Sequence, residues 1–235
     1  MQTVIVTGAS KGIGAAICKV LRSRGVRVIG VARSAKLLQE GDVAGDVSDP
    51  ETARRVVTQA GDSLVGLVLN AGVITPVSKV IDTDIAQFKA TYEVNLFSTL
   101  SWIQAALPAL RKNKGRLLYV TTELAGMAGF ACYASSKVAM NSMIATLAEE
   151  ERDVVMLAVS PGVVATDMFG AASELGKSTL SKEHQEFFKA MKKSDEVSQP
   201  ETVAEVFTKL ILSATPDKSG SFLTWKSPYI QGLLK

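Results

Sequence analysis

With 235 residues, 47% of them hydrophobic and 6% aromatic, the chain can bury a substantial core and is expected to form a single α/β domain over residues 1–235. The net charge is only +3, and the basic residues are scattered apart from short clusters at Arg111, Lys112, Lys114 and Arg116 and at Lys192 and Lys193, which excludes a nucleic-acid stripe. The most apolar run, Leu64 to Ile74, is too short to span a bilayer and is broken by Asn70 and Gly72.

Strand-like residues begin at Gln2 or Thr3 with no charged leader or apolar signal segment before them, so a cytoplasmic protein is expected. Cys18 and Cys132 lie far apart in apolar helical surroundings and match no metal-ligand spacing, which reads as free thiols in a reducing compartment and no metal site.

Thr3-Val4-Ile5-Val6 is β-branched without polar alternation, as for a strand covered by helices on both faces of a parallel sheet. It leads into Thr7-Gly8-Ala9-Ser10-Lys11-Gly12-Ile13-Gly14, after which Ala15, Ala16, Ile17, Val20 and Leu21 recur at helical spacing. Strand, glycine turn and helix in that order predict a phosphate site, because glycines allow close backbone approach and the free amides of a helix N-terminus attract an anion.

Val26 to Ala32 forms the second predicted strand and ends at Arg33. In a dinucleotide fold an acidic residue there would bind ribose hydroxyls, whereas an Arg accommodates a 2′-phosphate. Arg33, with Lys11 in the glycine turn, therefore favours NADP over NAD; a plain surface Arg is the alternative.

Val43 to Val47 reads as a third strand, with Asp46 near its end either facing an adenine or lying in a solvated turn. Ser48-Asp49-Pro50-Glu51 marks a helix start. Leu64 to Leu69 is a fourth buried strand that ends at Asn70-Ala71-Gly72, where the crevice of such a sheet lies. A helical pattern from Thr83 to Leu110 is interrupted near Tyr92 to Asn95, and its apolar residues cover more than one face, which points to burial on the sheet and against a second subunit. Asn95, a polar amide in this segment, is either a satisfied structural group or part of a site.

Leu117 to Thr121 is the fifth strand, with the Thr121 and Thr122 hydroxyls at its carboxyl end. A loop through Gly126 and Gly129 leads to Tyr133-Ala134-Ser135-Ser136-Lys137 at the start of a long helical pattern. Residues four apart share a helix face, so the Tyr133 phenol and the Lys137 ammonium can share one volume. A phenol titrates near ~10, and a neighbouring cation lowers that value enough to make it a usable acid or base.

Val154 to Val159 is the sixth strand, ended by Ser160-Pro161-Gly162. The alternation of strands and helices predicts a doubly wound parallel sheet, a Rossmann domain. Residues 166–195 then loosen into small and polar residues around Phe169, Phe187, Phe188 and Met191, which reads as a lid over a pocket, its large apolar residues facing a substrate or the core. His184, the only histidine, is expected to face solvent. Pro200 opens another helix, and Gly220 to Trp225 reads as a last strand.

Taken together, the turn TGASKGIG at Thr7 to Gly14, Asp46, Asn70-Ala71-Gly72, Asn95, the YxxxK element at Tyr133 to Lys137 and Pro161-Gly162 resemble the short-chain dehydrogenase/reductase family, in that family's order. The stretches Ser160 to Met168 and Thr215 to Trp225 resemble its fungal benzil reductase and sepiapterin reductase branch. The resemblance implies catalytic roles for Tyr133, Lys137, Asn95 and Thr122. It also implies NADP(H) contacts at Gly8, Ser10, Lys11, Gly12, Ile13, Gly14, Arg33, Asp46, Asn70, Ala71, Gly72, Tyr133, Lys137, Pro161, Gly162, Val164 and Thr166.

The family's serine is replaced by Thr122, with Thr121 beside it, and the loop to Tyr133 is shorter than the family's usual one, so either Thr could face the site. The expected activity is reduction of a hydrophobic or aromatic ketone, diketone or aldehyde by NADPH, in a homo-oligomer with a dimer favoured. Oxidation of an alcohol with NAD and an inactive NADP-binding sensor or scaffold are the alternatives. In the expected mechanism Lys137 lowers the Tyr133 pKa and Asn95 holds a relaying water.

Overall fold

Seven runs pair as parallel strands, the inner five largely buried: β1 (Thr3–Thr7), β2 (Arg27–Ala32), β3 (Val43–Ala44), β4 (Leu64–Leu69), β5 (Arg116–Val120), β6 (Val155–Ser160) and β7 (Phe222–Thr224). In this computed structural model, which describes residues 1–176, 179–191, 194 and 196–234, they form one sheet in the order β3-β2-β1-β4-β5-β6-β7. Between and after them run α1 (Gly12–Ser23), α2 (Pro50–Ala60), α3 (Ile85–Tyr92), α4 (Ser98–Lys112), α5 (Ala131–Glu150), α6 (Asp167–Leu175), α7 (Lys182–Met191), α8 (Pro200–Ser213) and α9 (Pro228–Leu233).

Period-two alternation divides each strand between two helical layers. On β1, Val4 and Val6 pack with Ile17 and Leu21 of α1 and Phe207 and Leu210 of α8, whereas Ile5 packs with Val56 of α2, Trp102 of α4 and Met140 and Ile144 of α5. A strand buried on both faces needs apolar residues at every position, hence the unbroken runs. The order reverses between β1 and β4, and the carboxyl ends there open the crevice in which such sheets bind ligands.

Local signals set the helix starts. Asp49 caps α2 by accepting from Glu51 N at 3.0 Å with Pro50 at the first helical position, and Thr166 caps α6 by accepting from Phe169 N at 3.4 Å.

Three expectations are corrected. The third strand is only Val43–Ala44, because Gly45 turns against Thr52 of α2, where a Cβ would come within 2.6 Å of that side chain. The segment expected to be loose between 166 and 195 contains α6 and α7, the latter begun by Ser181, whose hydroxyl accepts from His184 N at 3.2 Å. The interruption near Tyr92 to Asn95 is a π-helical turn over Glu93–Phe97 that joins α3 to α4 without ending the helix. Lys192, Lys193 and Asp195 lie outside the described residues. Among the described residues no helix is long and apolar enough to cross a membrane.

Candidate active site

The glycine turn at the end of β1 leaves no room for a side chain at Gly8 or Gly14. A Cβ on Gly14 would lie 2.3 Å from the Gly8 carbonyl oxygen, and Gly8 itself has φ +69° with Asn70 Nδ2 against its open side. Asn70 binds the turn from β4 by donating to the carbonyls of Thr7 at 3.0 Å and Gly8 at 3.2 Å. The Thr7 hydroxyl in return accepts from Asn70 N and Ala71 N, both at 3.1 Å. Asn70 and Ala71 thus hold the turn in shape, and the amides at the start of α1 face the crevice.

Half-buried Ser10 and Ile13 complete the turn. Thr166 stands over it, its methyl 3.3 Å from where a Cβ on Gly12 would lie. Pro161 is buried, Gly162 has φ +70° and backs onto Trp225, and buried Val164 bridges to Ser198. Trp225 packs with the layer of α1 and α8.

Around the expected 2′-phosphate position the charges are unequal. Arg33 is exposed and has no carboxylate partner among the described residues. Lys11 points to Asp167 at 2.9 Å, a pair exposed enough to contribute about 0–1 kcal/mol and to exchange for a phosphate. Asp46 is exposed and turned onto its own chain, accepting from Ser48 N at 2.9 Å.

Tyr133 lies in the first turn of α5 and is 8% exposed; Lys137, one turn on, is 3% exposed. Lys137 Nζ donates to the Val120 carbonyl at 2.7 Å and sits 4.6 Å from the centre of the Tyr119 ring. Burial among these groups pushes the Lys137 amine down to about 7. Burial pushes the Tyr133 phenol up to about 12, against which the Thr122 hydroxyl acts in the lowering direction.

The expected lowering of Tyr133 by Lys137 is thus corrected: spacing placed both groups on one face, but the amine is directed at the Val120 carbonyl, and burial raises the phenol. The two threonines separate cleanly. The Thr122 hydroxyl accepts from Leu124 N at 3.2 Å and is near enough to the phenol to act on its titration, while the Thr121 hydroxyl is buried without a hydrogen-bond partner among the described residues.

Asn95 occupies the π-turn, fully buried. Its Oδ1 accepts from Val73 N at 2.8 Å, and its Nδ2 donates to Val73 O at 2.9 Å and to Ser136 Oγ at 3.0 Å. Both amide hydrogens are therefore spent on protein, so the side chain pins the loop after β4 to α5 instead of offering a donor to water. Gly72 fits beneath it, where a Cβ would approach Asn95 Oδ1 to 3.2 Å and Lys137 Nζ to 3.4 Å.

An apolar wall encloses the phenol. Phe130, Phe188, Leu180, Ala172 and Ile74 are buried in one cluster with Tyr133, joined by half-buried Phe169, Leu124 and Met127. The Phe188 ring centre lies 5.7 Å from that of Phe169 and 6.0 Å from that of Phe130, whereas Phe187 remains 39% exposed. His184 is half-buried, contrary to its expected solvent position, and its Nδ1 is shielded with no partner among the described residues.

A glycine cradle at the sheet's switch point and a buried Tyr-Lys pair at the end of β5 are the parts that a family model described as short chain dehydrogenase brings together, and that model matches residues 2–175. The chain belongs to the short-chain dehydrogenase family. It is 36% identical to an uncharacterized oxidoreductase of Saccharomyces cerevisiae, with 97% of this chain and 96% of that protein covered. The crystal structure of that yeast short chain dehydrogenase/reductase superposes with a TM-score of 0.94 over the full length of both chains at 34% identity.

A benzil reductase of Saccharomyces cerevisiae that forms (S)-benzoin is 29% identical, with 95% of each chain covered. A short chain dehydrogenase of Burkholderia cenocepacia, solved in complex with NADP, is 26% identical with a TM-score of 0.80 and 95% of each chain covered.

Sequence reasoning missed several residues that shape this dehydrogenase site. Thr7, Tyr119 and Ser136 were given no role of their own; their signal is position, since they open the glycine turn, lie next to the end of β5 and sit inside the Tyr133 to Lys137 element. Phe130 was passed over as loop, although it closes the wall on Tyr133.

Proposed function

We propose that the chain is an NADPH-dependent carbonyl reductase that converts a hydrophobic or aromatic ketone, diketone or aldehyde to the alcohol. The observation that carries this reading is the buried Tyr133, with Lys137 one turn on, set inside an apolar, aromatic wall with the Thr122 hydroxyl near the phenol. Benzil, the diketone reduced by the yeast relative, is a molecule of that kind. The glycine turn at the start of α1, held close by Asn70, fits a pyrophosphate, and Arg33, with no carboxylate partner among the described residues, fits a 2′-phosphate. The NADP complex of the Burkholderia relative supports the same choice.

NADPH when bound supplies the hydride. Thr122 and Tyr133 hydrogen-bond the carbonyl oxygen and so orient the carbon toward the crevice. As negative charge develops on that oxygen, Tyr133 gives up its proton to it, and the alcohol forms. A phenol held near 12 is fully protonated at neutral pH, the state required of an acid in the reductive direction. Lys137 lies under the crevice, where it can turn from Val120 O to ribose hydroxyls.

The segment 166–195 acts as the substrate lid, with Phe169 and Phe188 lying over the phenol. Exposed apolar residues on the outer faces of the π-turn and α5, Phe97 at 51% and Val138 at 44%, favour a homodimer through these elements. Replacement Tyr133→Phe tests the assignment: turnover of aromatic diketones falls at least about a hundredfold while NADPH affinity is retained. A Phe variant as active as the parent overturns it.

A further inference from the structure

Glu123 follows Thr122 directly, at the carboxyl end of the sheet. Its Oε2 accepts from Ser160 Oγ at 3.2 Å, and Ser160 ends β6 with its side chain buried. Alternation along β6 places Met156, Ala158 and Ser160 on one face, and the first two pack with Met140 and Ile144 of α5. Ser160 therefore faces the layer that carries Tyr133 and Lys137, and it holds the Glu123 carboxylate on that side, one residue from the hydroxyl that meets the phenol. Glu123 is exposed, and no Lys or Arg pairs with it among the described residues. Glu123 thus presents a carboxylate without a cationic partner among the described residues on the side of the sheet that carries Tyr133, one residue along the chain from Thr122.

We infer that Glu123 determines substrate charge: it excludes carbonyl compounds bearing a carboxylate beside the reacting carbon and leaves neutral ones unhindered, with Ser160 as its positioning residue. The inference rests on the reductase reading and deepens it. A charge at the rim of a partly desolvated pocket acts on an anion arriving there far more strongly than in bulk water. A neutral ester of the same shape does not feel it.

Methyl phenylglyoxylate and phenylglyoxylate form a matched pair that differs in one charge. The parent protein is expected to reduce the ester with the higher kcat/KM. In Glu123→Gln the preference falls by about tenfold or more, equivalent to about 1.4 kcal/mol, through the KM of the acid alone. Ser160→Ala gives a smaller change in the same direction. Added salt relieves the discrimination in the parent and has no such effect in Glu123→Gln.

An unchanged preference in both Glu123→Gln and Glu123→Ala overturns the inference, as does a change confined to the KM for NADPH. Calorimetric binding of phenylglyoxylate to the NADP complex decides the matter independently of turnover. Tighter binding to Glu123→Gln than to the parent supports the inference even when neither compound is reduced, an outcome that removes the reductase reading alone; equal binding overturns it.

Discussion

Lys137 offers the sharpest test of the electrostatics at the site. Its amine falls from 10.5 to about 7 on folding because burial penalises the charged form and its hydrogen bond goes to a carbonyl, not a carboxylate. The unfolded chain keeps this proton up to about pH 10.5, whereas the folded chain releases it near 7, so between those values the unfolded chain binds more protons and stability rises with pH. Integrated over that window, the burial costs about 4 kcal/mol at pH 7 and about 2 kcal/mol at pH 9.

Replacement Lys137→Met keeps the apolar stem and removes the titration. It also leaves the Val120 carbonyl without its donor, a cost that does not vary with pH. Relative to the variant, the cofactor-free parent should therefore gain about 2 kcal/mol of stability between pH 7 and pH 9. Urea unfolding of both proteins at pH 6, 7, 8 and 9 measures this directly, because every titration they share cancels in the difference. A gap constant across this range would refute the account of a buried, depressed amine.

Four further outcomes follow from the geometry. Arg33→Ala should weaken NADPH by roughly tenfold to a hundredfold in a fluorescence titration, the worth of a charge-assisted hydrogen bond, and leave NADH nearly unchanged; equal losses for both cofactors would remove Arg33 from the 2′-phosphate. Thr122→Val should lower kcat by roughly a hundredfold or more. Thr121→Val should keep activity and raise stability by about 1 kcal/mol, since its hydroxyl is buried unpaired, with a melting curve as the check. Gly14→Ala forces a Cβ to 2.3 Å from the Gly8 carbonyl oxygen and should abolish NADPH binding while destabilising the fold by about 1–3 kcal/mol; a variant that still binds NADPH tightly would mean that the turn can relax.

Much of this architecture was legible in the chain because it depends on pattern. Strands buried on both faces are uninterrupted apolar runs, and a turn that admits no Cβ must be glycine. Asn95 was legible only as an interruption: its sequence shows a polar residue in an apolar helix, but a π-turn is set by where its carbonyls find donors, here the Tyr119 hydroxyl at 3.4 Å and the Thr99 hydroxyl at 3.1 Å. α7 was missed because its apolar face is narrow, one buried Phe188 among polar neighbours, although Ser181 carried the cap that starts it. The direction of Lys137 was beyond reach for a different reason. Helical spacing fixes which face a long side chain leaves from, not which acceptor its end finds, and the sign of a pKa shift depends on that acceptor and on burial.

The site is the place where the chain departs most from what local stability would choose. A lysine is buried against a carbonyl, a helix takes an extra residue into one turn, and three glycines hold a loop that alanine would stiffen. Each of these costs free energy in the isolated protein, and each faces the crevice at the carboxyl ends of β1, β4 and β5. A bound dinucleotide changes the terms of one of them: its ribose hydroxyls give Lys137 acceptors better than one strand carbonyl. Relief of the buried amine enters the dissociation constant itself, so cofactor binding should stabilise this chain by mass action with a Kd that varies with pH. The same reasoning locates the dependence of that stabilisation on pH in Lys137 and not in Tyr133, whose phenol stays protonated throughout the neutral range.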